Sequence, residues 1–150
     1  LSGSYKMLHL PDGLSQDSLH MLMTCEPQIK EIGDLISRTD VLLFGIGTAM
    51  RMADQRHIAD DVRKQLVDNH AVGEALGQYC DIEGKLIYST NNIGLSLPDV
   101  VKVPNVIAVA GGQEKASAII GVMRACQKGI LIIDEQAAEG MRQLLQISAL

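Results

Sequence analysis

The chain has 150 residues and a formal net charge of -5; 47% of its residues are hydrophobic and 21% are charged, which excludes a disordered polypeptide. The acidic balance disfavours direct nucleic-acid binding, and with three Tyr, one Phe and no Trp, stacking platforms for bases or sugar rings are not expected. No apolar run approaches the ~18 residues of a membrane span, no signal peptide is recognisable, and three scattered cysteines indicate reduced thiols in a cytoplasmic protein.

The first forty residues predict a short strand and two helices. The strand occupies residues 5–10 and is closed by a Pro-Asp-Gly turn at 11–13. A helix follows over residues 14–24, and Pro27 suits the first turn of a second helix. Because the sequence starts at Leu1 and already has the character of folded sequence there, we expect an N-terminal part of the domain to lie outside these residues.

The middle of the chain predicts a buried strand over residues 41–44, followed by Gly45-Ile46-Gly47. Two helices are expected next, over residues 50–57 and 60–69. Residues 71–79 predict a strand of mixed character, and residues 85–88 pair back as a hairpin after a turn at 81–84.

The last third predicts two further strands, at 106–110 and 130–133, each followed by a helix. A helix start is expected at residues 97–99. Helices and strands alternate from Pro27 onward, and this order favours an α/β fold with a mainly parallel sheet. In such sheets ligands bind beyond the carboxyl ends of the strands.

Three of these strand ends carry glycines or a polar group: Gly45-Ile46-Gly47, Gly111-Gly112 and Asp134. The Gly111-Gly112 pair opens a helix, where free N–H groups and the positive end of the helix dipole suit a phosphate. The alternative is that the two glycines only make a tight turn between strand and helix.

The glycines at 45 and 47 do not make a dinucleotide fingerprint, because Met50 stands where the third glycine belongs. No Gly-Lys-Ser/Thr follows, so a P-loop is excluded as well. The spacing supports no metal site, no cofactor and no covalent catalyst, and we predict no catalytic residue. His57 is the histidine best placed to touch a ligand.

Four charged residues are candidates for ligand contacts. Arg51 and Arg56 follow the first glycine turn, and a guanidinium binds phosphate with paired hydrogen bonds; a plain surface position is the alternative, and it fits Arg51 better. Glu74 can accept from sugar hydroxyls, act as an acid or base, or simply pair with an arginine. Lys115 lies in the first turn of a helix, where a cation is unfavourable unless an anion is bound or Glu114 offsets it.

In combination these motifs resemble the effector-binding domain of SorC-type sugar-responsive transcription regulators, over residues 4 to 145. The resemblance is carried by Gly45-Ile46-Gly47, Met52-Ala53-Asp54-Gln55-Arg56, Ala71-Val72-Gly73-Glu74-Ala75-Leu76-Gly77, the segment from Ile107 to Ala116, and Asp134-Glu135-Gln136-Ala137-Ala138.

The resemblance implies a Rossmann-like sheet with helices on both faces, akin to sugar-phosphate isomerases and deaminases, in a bacterial repressor of sugar or glycolytic genes. It implies a phosphorylated sugar such as fructose 1,6-bisphosphate as effector, with Gln55, Arg56, Glu74, Lys115, Gly111 and Gly112 as ligand-binding residues. Arg56 and Lys115 would hold phosphate, and Glu74 would accept from sugar hydroxyls.

The resemblance further implies a homodimer or homotetramer that binds operator DNA through a separate N-terminal domain. That winged helix-turn-helix and a first phosphate loop are not in these residues, so residues 1–150 would be the C-terminal part of the effector-binding domain. The family often has two adjacent arginines where this chain has Gln55-Arg56, which puts affinity or ligand choice in doubt. A sugar-phosphate isomerase or deaminase and a nucleotide-binding module are the alternatives.

Overall fold

The computed structural model describes residues 3–11 and 13–146. Its helices are α1 Gln16–Cys25, α2 Pro27–Ser37, α3 Ala49–Gln55, α4 Asp60–Asp68, α5 Ala116–Cys126 and α6 Glu135–Leu144. Its strands are β1 Val41–Gly45, β2 Gly47–Thr48, β3 Gly73–Ala75, β4 Gln78–Cys80, β5 Leu86–Ser89, β6 Asn105–Ala110 and β7 Ile130–Ile133. Short 3-10 turns occupy Pro98–Lys102 and Gln113–Lys115.

A parallel three-stranded sheet with strand order β1-β6-β7 confirms the predicted α/β fold. Phe44, Val106 and Ala108 lie on its buried face, in one core cluster with Ile119 of α5 and Ala137 of α6. Small residues in the central strand allow a helix to approach closely. The core therefore holds the carboxyl end of β6 and the start of α5 in a fixed relation.

A second sheet is antiparallel, with strand order β2-β3-β4-β5. The predicted hairpin is confirmed, because β5 pairs back onto β4. The prediction of one strand through residues 71–79 is wrong: Leu76 and Gly77 form a turn with positive φ angles of 54° and 78°, which separates β3 from β4. The short strand β2, which the sequence did not predict, joins this sheet by pairing with β3.

The N-terminal segment differs from the prediction. Residues 5–10 do not form a strand in the structure, and Tyr5 and Met7 are exposed. An alternating pattern makes a strand only where a partner strand is present, and none pairs with this segment in the described part of the chain. The two helices that follow are confirmed as α1 and α2. The predicted turn residue Asp12 lies outside the described residues.

Helix α5 packs against the antiparallel sheet through glycines. A Cβ at Gly73 would lie 2.7 Å from the carbonyl oxygen of Ala118, and a Cβ at Gly121 would collide with the carbonyl oxygen of Asp81. Both positions therefore need glycine for close approach. Because α5 also packs on the parallel sheet, it fixes the two sheets relative to each other.

One face of the parallel sheet is exposed in this chain. The register aligns Leu43 with Ile107 and Ile107 with Ile130, so these side chains lie on the same face. Leu43 is 66% exposed and Ile130 65% exposed, and Val41, Val109 and Ile132 on this face are exposed as well. Helices were expected on both faces of this sheet. Among the described residues, helices cover one face and leave the other exposed. None of the described helices is long and apolar enough to cross a bilayer.

Candidate functional site

A cavity of about 550 Å³ lies beyond the carboxyl end of β1. The turn from β1 to β2, one face of α3, the strand β3 and the 3-10 turn before α5 all contribute to its wall. The lining residues are Phe44, Gly45, Ile46, Gly47, Thr48, Arg51, Met52, Gln55, Arg56, Glu74, Leu76, Glu114 and Lys115. The structure therefore brings together four of the six predicted ligand-binding residues: Gln55, Arg56, Glu74 and Lys115.

Glu74 is the buried carboxylate of this cavity, with an exposed fraction of 3%. Its Oε1 accepts a hydrogen bond from the Gly77 N–H at 2.7 Å and lies 3.3 Å from Nη2 of Arg56. The neighbouring-arginine pairing considered from the sequence is thus present, and Glu74 lines the cavity as well. Gly47 is its cross-strand partner, and the Met52 side chain packs over Gly47 where a Cβ would lie.

Arg51, Met52 and Gln55 on α3 line the cavity, as does Thr48, the N-cap residue of that helix. Their spacing of three and four residues is that of one helical face. Arg51 was a candidate phosphate contact for which a plain surface position fitted better, and it is both exposed and part of the cavity wall. Gln55 and Arg56, which the sequence predicted as ligand contacts, both line this cavity, and Arg56 follows α3 at its C-terminal end.

Lys115 ends the 3-10 turn and is the residue preceding α5. Its backbone N–H donates to the carbonyl oxygen of Gly112 at 3.1 Å, which fixes the turn from which its side chain enters the cavity wall. Among the described residues, no carboxylate forms an ion pair with Lys115 or with Arg51. Glu114 lies beside Lys115 in the same wall. An anionic ligand could therefore form an ion pair with either of these two cations.

Gly111 and Gly112 do not line the cavity. The Gly112 N–H donates to the Asp134 carboxylate, at 2.9 Å from Oδ2 and 3.1 Å from Oδ1. Gly112 has a φ of 95°, and a Cβ at Gly111 would lie 2.7 Å from Asp134 Oδ2. Both glycines thus make the tight turn that the sequence left open as an alternative, and that turn presents Lys115.

Asp134 has a structural role at this turn. It caps α6 by accepting the Ala137 N–H at 2.8 Å. The backbone N–H groups of Ala137 and Gly112 hold the pKa of Asp134 below its usual value. Asp134 does not line the cavity, so it is not placed as an acid or base partner for Glu74. His57, the other suggested contact, does not line the cavity either and is exposed.

Glu114 is the second carboxylate of the cavity, and it is exposed. In the part of the chain that the structure describes, no group of three His, Cys, Asp or Glu side chains is arranged to hold a metal ion. The cavity thus combines three cationic side chains and the Gln55 amide with two carboxylates, one buried and one exposed. This combination is suited to bind an anion that also carries hydroxyl groups.

Comparison with known proteins identifies the family. The family of sugar-binding domains matches residues 1–143. This chain belongs to that family, the sugar-binding domain of SorC-type transcriptional regulators. The sequence-based resemblance is thereby confirmed, and the named relatives are transcriptional regulators rather than enzymes.

The sugar-binding domain of this chain is 36% identical over 138 residues to the Central glycolytic genes regulator of Bacillus subtilis, covering 92% of this chain and 40% of that protein. It is 38% identical over 135 residues to the regulator of the same name from Priestia megaterium, covering 90% of this chain and 39% of that protein.

A solved SorC family transcriptional regulator from Enterococcus faecalis is 39% identical, with a TM-score of 0.78; the match covers 85% of this chain and 52% of that one. The full-length sorbitol operon regulator SorC from Klebsiella pneumoniae, at 24% identity and a TM-score of 0.68, shares the fold; the match covers 85% of this chain and 42% of that one. The chain thus spans about two fifths of the curated relatives.

Proposed function

We propose that this chain senses a phosphorylated sugar for a bacterial repressor of sugar or glycolytic genes. The observation that carries the proposal is the convergence of Arg51, Arg56 and Lys115 on one cavity whose floor holds the buried carboxylate of Glu74. A phosphate ester carries about two negative charges near neutral pH. The matching relatives named as central glycolytic genes regulators support a glycolytic effector such as fructose 1,6-bisphosphate.

Each of the proposed contacts has a distinct chemical role. Lys115 and Arg56 hold phosphate oxygens by charge-assisted hydrogen bonds. Glu74 accepts hydrogen bonds from sugar hydroxyls, and Gln55 contributes neutral hydrogen bonds without adding charge. Gly111 and Gly112 act through the turn that positions Lys115, since the Gly112 N–H is already donated to Asp134.

We also propose that a further part of the same polypeptide covers the exposed face of the parallel sheet and contributes to the effector site. Parallel sheets are normally buried on both faces, and Leu43 and Ile130 are about two-thirds exposed here. The relatives extend well beyond the matched segment. In this proposal residues 1–150 are the C-terminal part of the effector-binding domain.

In this proposal a separate N-terminal domain binds the operator DNA. The net charge of this chain is -5, which disfavours contact with the negatively charged DNA backbone. The whole regulator is a homodimer or homotetramer. The effector shifts the balance between its DNA-binding and released states only by binding one of them more tightly.

A thermal-shift screen of the intact protein against free, monophosphorylated and bisphosphorylated sugars tests the proposal. A ligand that binds the folded state raises the melting temperature. We expect a rise with a phosphorylated sugar, none with its free counterpart, and unchanged sugar phosphate by NMR after incubation. Chemical conversion of the sugar phosphate would instead favour an enzyme. If no sugar changed the melting temperature, the turns and strand ends that line the cavity would have only a structural role.

A further inference from the structure

The cations of the cavity differ in how far the protein itself neutralises them. Arg56 lies 3.3 Å from the buried carboxylate of Glu74, and its side chain is 26% exposed. The charge of Lys115 acts on Asp134, where it adds to the backbone N–H groups of Ala137 and Gly112 in lowering the pKa of that carboxyl. Arg51 is exposed, lines the same cavity and forms no ion pair with a carboxylate among the described residues.

This inequality separates the cavity into an inner and an outer part. The inner part contains Glu74 and Arg56. There the buried carboxylate of Glu74 can accept a hydrogen bond from a hydroxyl group of the ligand. The outer part contains Arg51, on the face of α3 that also carries Gln55 one turn later. A guanidinium that is exposed and unpaired loses little solvation or pairing energy when a phosphate binds to it.

We propose that Arg51 is a specificity-determining contact that binds a phosphate of the effector at the rim of the cavity. This inference rests on the proposed function, since it requires a phosphorylated ligand in that cavity. Arg51 supplies a guanidinium within α3, one helical turn before the uncharged side chain of Gln55, whereas Arg56 lies just past the end of that helix. Arg51 thereby sets how strongly the site prefers a phosphorylated sugar over the same sugar without phosphate.

Calorimetric titration of the intact protein with fructose 1,6-bisphosphate, fructose 6-phosphate and fructose tests the inference. Three variants are compared with wild type: Arg51→Met, Arg51→Lys and Arg38→Met. Arg38 follows α2, is exposed and does not line the cavity, so its replacement is the matched control. Lys115→Ala is titrated in parallel as a test of the site as a whole.

We expect Arg51→Met to weaken binding of the phosphorylated sugar by about tenfold to a hundredfold, the range of a charge-assisted hydrogen bond. The loss should shrink as ionic strength rises, because salt screens the exposed charge of Arg51. Arg51→Lys should bind with intermediate affinity, since an ammonium keeps the charge but loses the paired geometry. Unphosphorylated fructose should bind measurably to none of these proteins, and Arg38→Met should bind the phosphorylated sugar with wild-type affinity.

Two results would overturn the inference in distinguishable ways. If Arg51→Met bound the phosphorylated sugar within about twofold of wild type while Lys115→Ala lost binding, Arg51 would not be a phosphate contact and the proposed function would stand. If wild type bound none of the phosphorylated sugars, the proposed function would fail and the role of Arg51 with it.

Discussion

Oε1 of Glu74 accepts the Gly77 N–H at 2.7 Å and lies 3.3 Å from Nη2 of Arg56. One carboxylate oxygen thereby joins the turn between β3 and β4 to the end of α3. The same side chain forms part of the cavity wall. Local folding and ligand binding are therefore linked at Glu74, and a change there should affect both.

Replacement of Glu74 by Gln should lower the free energy of unfolding by about 1–3 kcal/mol. The amide oxygen can still accept from Gly77, but the negative charge beside Arg56 is lost. Sugar-phosphate affinity should fall as well, because an uncharged amide is a weaker acceptor for hydroxyl groups. Chemical denaturation and calorimetry measure the two effects. Glu31→Gln, on α2, where the exposed Glu31 pairs with Lys6, should change neither quantity appreciably. Equal effects in both variants would contradict this account.

Replacement of Gly121 by Ala should destabilise the protein by about 1–3 kcal/mol, because the added methyl group meets the backbone of Asp81 and pushes α5 off the antiparallel sheet. Gly33→Ala is the matched control, since it is also a helical glycine but its close contact is with the flexible end of the Met23 side chain rather than with backbone. Urea denaturation compares the two variants. A Gly121→Ala protein as stable as Gly33→Ala would show that this close approach is unimportant.

The three thiols should differ sharply in reactivity. Burial raises the pKa of the Cys80 thiol to about 12 and that of Cys126 to about 11, whereas Cys25 is exposed. Because the thiolate is the nucleophile, brief iodoacetamide labelling at pH 8 should modify Cys25 alone among the three. Mass spectrometry of the peptides identifies which cysteines are alkylated. Labelling of all three after denaturation is the control. Rapid labelling of Cys80 in the native protein would be inconsistent with the core described here.

The same two buried thiols give the stability a pH dependence. Unfolded thiols lose their protons above about pH 8.5, whereas Cys80 and Cys126 keep theirs to about 12 and 11 when folded. The unfolded state then binds fewer protons, so the thiols' contribution to stability is present below pH 8.5 and is lost as the pH rises further. Urea denaturation between pH 7 and pH 10 should show a smaller decline in a Cys80→Ala, Cys126→Ala double variant. An equal decline would assign the pH dependence to other groups.

The exposed sheet face gives a test of the proposed domain arrangement. In the intact polypeptide, Leu43→Glu should destabilise the protein strongly, because a charge would be buried without a partner beneath the covering segment. Val67→Glu, on α4 at 55% exposure, is the control and should be tolerated. Thermal unfolding compares the two. If Leu43→Glu were tolerated as well as Val67→Glu, the face of the sheet would be open to solvent in the whole protein.

The sequence predicted those parts of the fold that depend on local periodicity. The helical patterns of α2 and α5 and the apolar runs of β1 and β7 each indicated one element, and the structure confirmed them. The strand predicted at residues 5–10 failed because a strand requires a partner, which no local pattern shows. The turn at Leu76-Gly77 was missed because its positive φ angles are stabilised by Glu74, a contact fixed by the folded chain.

The candidate site was predictable to a similar degree. Glycines and charges at strand ends indicated the right edge of the sheet, and Gln55, Arg56, Glu74 and Lys115 do meet there. The sequence left open whether Gly112 offers its N–H to a ligand or makes a turn, because the side chain that accepts this N–H belongs to Asp134, 22 residues later. Arg51 required the structure, since only the packing of α3 shows which of its faces lines the cavity.

The most direct test of the central claim is calorimetric titration of the intact wild-type protein and of its Lys115→Ala variant with fructose 1,6-bisphosphate. Lys30→Ala, on the exposed surface of α2, is the matched control. We predict saturable binding to wild type and to Lys30→Ala, and a loss of at least about tenfold in affinity for Lys115→Ala. Equal affinity in all three proteins would contradict the claim that this cavity binds the phosphate of a sugar effector.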